Sequence, residues 1–304
     1  MTEFVKFPLE KFECDAFQAF SATSDFRLGN ARALMWVSQL VYQTADLPAL
    51  DTVVNAWGFP SLEKFIQGDL SHLTTGVFGA RNDSVILAFA GTDPGLLQTV
   101  ITDVQARIDG DDIHEGFQAA FEVVKNQAKA VAQVAATSGK PLFVTGHSLG
   151  GALAVLAAKF CVSIGVTPCA VYTFGMPRVG GERFAGEYNS SSLGAITYRL
   201  VHGDDIVPRV PPPELGYRHV GRVLQCTSEG KFDPLAPLSA VGSDEPSLAS
   251  SILGGIGGYA ANILAGKLLS RPGPMPGPFG EAFRLLPPQI RHHLQDYYLD
   301  ALKP

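Results

Sequence analysis

No pairing pattern links the four cysteines of this 304-residue chain, no basic surplus marks it, and no continuous apolar run opens it. Cys14, Cys161, Cys169 and Cys226 form neither a C-x-x-C pair nor a framework spacing, which argues against a disulfide scaffold. Cys161 and Cys169 lie in apolar surroundings and read as core thiols, which fits a reducing compartment. The formal net charge of −6 supplies no electrostatic footprint for nucleic acid. Residues 1–11 alternate charges with aromatics and lack an apolar h-region, so they do not read as a Sec-type signal peptide. The expectation is a cytoplasmic protein or one exported by a signal-independent route.

What is present is enough apolar material, 46% of the residues, to bury one large α/β core. Residues 30–43 carry apolar positions at helical spacing behind a candidate cap, Asn30, and two further helical patches are expected at 48–57 and 61–67. The period then changes. Residues 75–80 and 84–90 read as neighbouring strands joined by the turn Arg81-Asn82-Asp83. A long helix is expected over 116–136, a strand over 141–145, a helix over 152–160, and strands over 170–174 and 195–201. Strands separated by helical spacers predict a mainly parallel central sheet with helices on both faces. The simplest organisation is a single domain over 1–304 with an apolar insertion at about 231–280. Residues 247–266 carry no charge, yet their glycines, serines and asparagine favour a packed insertion, with a surface-inserting or substrate-contacting helix as the alternative, over a membrane-spanning helix. The Pro/Gly run at 271–278 reads as a returning loop.

The most informative stretch is Gly146-His147-Ser148-Leu149-Gly150-Gly151, where one serine stands between glycines at the junction of an apolar strand and an apolar helix. That is the sequence of a nucleophile elbow, in which a sharp turn projects the hydroxyl above the sheet edge. The Leu149 N–H then sits at a helix N-terminus, where unpaired donors stabilise an oxyanion. A serine hydroxyl needs a base within hydrogen-bond reach, and the base needs a buried carboxylate to hold its tautomer. On elbow hydrolases the chain order is Ser, then Asp or Glu, then His. The segment 199–212 supplies two adjacent aspartates, Asp204 and Asp205, of which one faces the site and the other meets solvent or caps a turn. The histidine candidates are His219, His292 and His293, since His114, His147 and His202 precede the carboxylate. His147 adjoins the nucleophile but is expected to be directed away by the turn.

Taken together these pieces resemble the class 3 lipase family, which contains the filamentous-fungal triacylglycerol lipases. The resemblance rests on Leu40-Val41-Tyr42, Ala88-Phe89-Ala90-Gly91-Thr92-Asp93, Ile113-His114-Glu115-Gly116-Phe117, the elbow, Tyr172-Thr173-Phe174-Gly175-Met176-Pro177-Arg178-Val179-Gly180, Asp205-Ile206-Val207-Pro208-Arg209, and His293 before Tyr297-Tyr298. It implies an α/β-hydrolase fold and a Ser148, Asp205, His293 triad. It also implies an oxyanion hole at the Thr92 and Leu149 N–H groups, with the Thr92 hydroxyl as a further donor. By the same resemblance His219 is structural. Three departures stand out: Ala90 replaces the family's usual arginine, His292 replaces an aspartate often found before the histidine, and the insertion after Asp205 has no counterpart in the compact fungal members.

Leu96, Leu97, Val100 and Ile101 follow the threonine at helical spacing, and the resemblance places a lid at about 93–103. An apolar face there is buried in water and opens onto lipid. With the apolar segment near Ile252 to Leu269, it favours lipid esters over small soluble ones. The expected activity is hydrolysis of glyceride esters at a lipid–water interface, without metal or organic cofactor and without a stable transmembrane anchor. The rivals are a phospholipase, a short-chain or feruloyl-type esterase, and a catalytically silent lipid-binding hydrolase fold. The sequence shows no obvious positive cluster for a phospholipid head group, although Arg178, Arg209 and Arg218 could contribute.

Overall fold

The computed structural model describes residues 7–43, 47–68, 73–91, 108–226, 230–243 and 292–303. Strands β1 (Glu63–Gln67), β2 (Thr74–Ala80), β3 (Val85–Phe89), β4 (Leu142–His147) and β5 (Ala170–Phe174) are followed by β6 (Gly180–Gly181), β7 (Thr197–Val201), β8 (Tyr217–Arg218) and β9 (Arg222–Gln225). Seven of them form one sheet in the order β1-β2-β3-β4-β5-β7-β9, and β6 with β8 makes a small separate ribbon. From β3 to β9 all neighbours run parallel, whereas β1, β2 and β3 pair antiparallel. β3, β4, β5 and β7 are buried at every position, the pattern of strands covered on both faces.

The helices that cover them are α1 (Leu28–Leu40), α2 (Asp51–Ala56), α3 (Glu115–Glu122), α4 (Lys125–Ser138), α5 (Leu149–Ser163), α6 (Glu182–Ser190), α7 (Ser192–Ile196) and α8 (Gln295–Ala301). Side-chain alternation divides the core in two. Ile86, Ala88, Phe143 and Tyr172 face α1, α2 and α8, while Val85, Leu87, Phe89, Leu142 and Val144 face α3, α4, α5 and α6. Before α1, the chain crosses the first of these faces and is tied down by long-range contacts. The Tyr172 hydroxyl accepts the Arg27 N–H at 3.1 Å, and the Tyr198 hydroxyl donates to the Ser24 carbonyl at 2.7 Å.

Local structure departs from the sequence reading at four places. Residues 63–67 form an edge strand, not a helix: pairing with β2 supplies their hydrogen bonds, and only Phe65 of the five is buried. The expected helix over 116–136 is two helices, broken at the β-branched pair Val123-Val124, where Val124 leaves helical geometry and is fully buried. Asn30 does not cap α1 but lies inside its first turn, where its amide exchanges two hydrogen bonds of 2.8 Å with the Ser21 backbone. Ala195 and Ile196 end α7, and β7 starts only at Thr197.

The expected lid at 93–103 lies outside the described residues, as does most of the expected insertion at 231–280. The described start of that insertion belongs to the main core: Phe232 is buried, stacks on Tyr298, and donates its N–H to the Ala301 carbonyl. Among the described residues no helix is long and apolar enough to cross a membrane. Leu153 sits fully buried in α5 beneath the sheet. Leu153→Ala is expected to lower the unfolding free energy by about 2–5 kcal/mol in a denaturant titration; a loss under about 1 kcal/mol would contradict the packing described for α5.

Candidate active site

Parallel β4 ends at His147 and α5 begins at Leu149, leaving Ser148 alone to reverse the chain. Ser148 does so with φ 58° and ψ −131°, a conformation that non-glycine residues rarely adopt. Holding it costs about 1–3 kcal/mol. The turn is held by the Ser148 N–H, which donates to the Phe174 carbonyl, and by the Ser148 carbonyl, which accepts the Gly151 N–H, both at 2.9 Å. Close approach is built in, since a Cβ at Gly146 would lie 2.1 Å from the Gly150 carbonyl oxygen. Leu149 is the first residue of α5, so its N–H has no acceptor within the helix and points with the positive end of the helix dipole.

The strand after next delivers the carboxylate. β7 ends at Val201, and the following turn leads Asp205 to complete burial. Its Oδ1 accepts the Val207 N–H at 2.9 Å, its Oδ2 accepts the Tyr298 hydroxyl at 2.6 Å, and His293 Nδ1 donates to both oxygens at 3.0 and 2.9 Å. Asp204 points the other way, its side chain 63% exposed and 3.4 Å from Arg209. Gly175, at φ +59°, backs this pair; a Cβ there would come within 2.6 Å of Asp205 Oδ2 and 2.9 Å of His293 Nδ1.

The three late histidines separate cleanly. His293 is buried against Asp205, just before α8. His292 turns outward to accept the Asp204 N–H on its Nδ1 at 2.9 Å. His219 is buried elsewhere, its Nε2–H donating to the Pro208 carbonyl at 2.7 Å and so bracing the turn that carries Asp205. Ser148 is held one residue from the His147 ring, which packs on the His293 ring at a centroid distance of 4.6 Å.

Thr92, Leu96, Leu97, Val100 and Ile101 lie outside the described residues. The preceding residue, Gly91, is described: its N–H donates to the Tyr42 hydroxyl at 2.8 Å. Its backbone adjoins Ser148, with a Cβ there falling 2.8 Å from Ser148 Cβ. Among the described residues no cluster of His, Cys, Asp and Glu is arranged to hold a metal ion.

Two features escape sequence reasoning. Tyr298 is fully buried, and burial with the adjacent Asp205 charge holds its phenol well above the ordinary range, so it stays a donor. His147 is not directed away from the site: its ring is buried between Tyr42, His293 and Tyr298. The cations also need correction. Arg178 is fully buried, donating to the Pro211 carbonyl at 3.1 Å, and is not exposed to a head group. Arg209 and Arg218 are both engaged, by Asp204 and by the Pro213 and Tyr217 carbonyls.

Comparison with known proteins adds an independent line. The family model described as Lipase (class 3) matches residues 92–215. A secreted mono- and diacylglycerol lipase of Fusarium solani is 46% identical over 115 residues, 37% of this chain and 33% of that protein. A lipase of Rhizopus niveus is 34% identical over 171 residues, 49% of this chain and 43% of that protein. This chain therefore matches between a third and a half of the length of these relatives. In three dimensions it resembles lipase II from Rhizopus niveus with a TM-score of 0.58 at 24% identity, covering 70% of this chain and 86% of that one. That likeness concerns the α/β-hydrolase fold.

The strain at position 148 has a measurable consequence. Glycine adopts φ 58° and ψ −131° at no steric cost, whereas alanine does not. Ser148→Gly is expected to unfold at higher denaturant than Ser148→Ala, by about 1 kcal/mol. Equal stability of the two variants would mean that the turn is not strained.

Proposed function

We propose that this chain is a member of the class 3 lipase family and a serine-dependent carboxylic ester hydrolase acting on glyceride esters, with Ser148 as nucleophile, His293 as base and Asp205 as the group that orients it. The observation that carries this reading is the buried His293–Asp205 pair, with Nδ1 2.9 Å from Oδ2, beside a serine held in a strained elbow. An imidazole whose Nδ1–H is fixed by a carboxylate presents an unprotonated Nε2 on its other side.

In the proposed cycle the Ser148 Oγ–H proton passes to His293 Nε2 as Oγ bonds to the acyl carbon. The carbonyl oxygen takes up the negative charge and meets the Leu149 N–H, with Thr92 proposed as the second donor. The tetrahedral adduct collapses when the His293 imidazolium returns the proton to the leaving alcohol. Water then repeats the exchange on the acyl-enzyme, releasing the fatty acid and restoring Ser148. Asp205 takes no part in the proton transfer itself: it holds the His293 Nδ1–H, while the Val207 N–H and the Tyr298 hydroxyl fix the carboxylate in place.

A lipid substrate is favoured by Leu96, Leu97, Val100 and Ile101, whose helical spacing after Thr92 fits a lid, and by the uncharged segment at 247–266. Both are proposed to meet acyl chains at a lipid–water interface. The phospholipase alternative is weakened by the burial of Arg178 and the pairing of Arg209 and Arg218.

Wild-type protein is expected to form a covalent adduct with a fluorophosphonate probe at Ser148. It is also expected to hydrolyse a glyceride emulsion faster than phosphatidylcholine, with a jump in rate above the substrate's solubility limit. His293→Ala should abolish turnover while His219→Ala and His292→Ala retain most of it. An unlabelled Ser148 in both buffer and detergent would refute the enzyme reading, and a dominant loss in His219→Ala or His292→Ala would refute the choice of base.

A further inference from the structure

His147 is the residue before the nucleophile, and its burial calls for an account of both ring nitrogens. Its Nε2 lies 2.7 Å from the backbone carbonyl oxygen of His293. A carbonyl only accepts, so Nε2 carries the hydrogen. In a neutral ring Nδ1 is then an acceptor, and the group facing it is the Tyr42 hydroxyl at 3.4 Å. Tyr42 in turn accepts the Gly91 N–H at 2.8 Å, and because Nδ1 carries no hydrogen in this tautomer, the Tyr42 hydroxyl is the donor in their contact. Burial, reinforced by the neighbouring His293, holds the His147 ring well below the usual imidazole range, in keeping with a neutral ring.

These contacts form one directed chain. It runs from the Gly91 N–H at the end of β3, through the Tyr42 hydroxyl, through both nitrogens of His147, to the main chain of His293. Its ends are the two parts of the site that arrive from opposite ends of the sequence. Gly91 leads directly into Thr92, and His293 reaches the site from the far side of residues 244–291. Its middle is covalently attached to Ser148.

We propose that His147 is a positioning residue for acyl transfer: it fixes the backbone of the base through Nε2–H and the end of the oxyanion strand through Tyr42, both relative to its neighbour Ser148. This role rests on the assignment of Ser148 and His293 made above. It is distinct from a packing role, which a phenyl ring stacked on His293 would fill equally well. It also differs from a base role, since both ring nitrogens are already engaged with groups that do not react.

Long-range proton–nitrogen NMR of full-length protein labelled with 15N-histidine tests the chain directly. His147, assigned by the signal missing from His147→Phe or His147→Gln, is expected as the neutral Nε2–H tautomer at neutral pH. Tyr42→Phe should shift its Nδ1 signal and leave Nε2–H in place. A charged ring or the Nδ1–H tautomer would overturn the proposal. Kinetically, His147→Phe should lower kcat by roughly 10- to 100-fold with KM within about twofold, the signature of a displaced base rather than weaker substrate binding. His147→Gln, which restores a donor toward the His293 carbonyl, should recover part of that loss. Retention of kcat in His147→Phe, a change confined to KM, or no recovery in His147→Gln would each overturn it. If wild-type Ser148 resists the fluorophosphonate while the tautomer is as expected, the hydrolase assignment fails and takes the positioning role with it. If Ser148 is labelled and the tautomer is wrong, only the role of His147 fails.

Discussion

One buried charge organises this molecule. Asp205 has no solvent exposure, and an ionised carboxylate without water is tolerated only when donors from the protein replace it. Those donors come from both near and distant places in the chain. The Val207 N–H is supplied by the turn itself, whereas the Tyr298 hydroxyl and His293 Nδ1–H belong to the carboxyl-terminal segment. Satisfying the carboxylate therefore places that segment against the carboxyl edge of the sheet, whatever path the chain takes between. Losing any one donor leaves part of a charge unmatched in a low-dielectric site, which makes the arrangement all-or-none rather than gradual.

A second constraint, the strain at Ser148, is borne by the sheet. β4 is the central strand of seven and is buried along its length, and α5 packs directly on it with an almost wholly apolar sequence. Rigid elements on either side of a one-residue turn leave Ser148 no relaxed alternative. Strain of about 1–3 kcal/mol is small against the burial of α5, so the fold holds the Ser148 backbone in its unusual conformation. The same rigidity explains how His147 is anchored: the end of β4 fixes its backbone, and its ring has one way to go, into the space between Tyr42 and His293.

The elbow was legible in the sequence because everything it requires is local: glycines at fixed offsets, an apolar strand before and an apolar helix after. The pair Asp204 and Asp205 was legible as a choice, and the resemblance to a family narrowed it to the residue the structure buries. The long-range hydrogen bonds were not legible. Tyr298 meets Asp205 across 93 residues, and His147 meets the His293 carbonyl across 146. No periodicity encodes such contacts. Secondary structure failed for a related reason. Residues 63–67 became a strand because β2 offered its hydrogen bonds, and Val123-Val124 broke a helix because tertiary burial of Val124 outweighed helix continuity. His147 differs from the expectation that the turn directs it away, since its ring is buried beside His293. The ring stays inside because it has partners on both nitrogens.

The central claim is that Asp205, through its buried contacts, makes His293 a working base for Ser148. Asp205→Asn keeps the shape of the side chain and removes its charge, while Asp204→Asn makes the same change at the exposed neighbour. The most direct measurement is the rate of Ser148 phosphonylation and of ester turnover in the two variants. The account predicts a fall of about 10⁴-fold for Asp205→Asn, as expected when the carboxylate that fixes a catalytic imidazole is neutralised, and near wild-type rates for Asp204→Asn. Wild-type rates in Asp205→Asn, or the larger loss in Asp204→Asn, would contradict it.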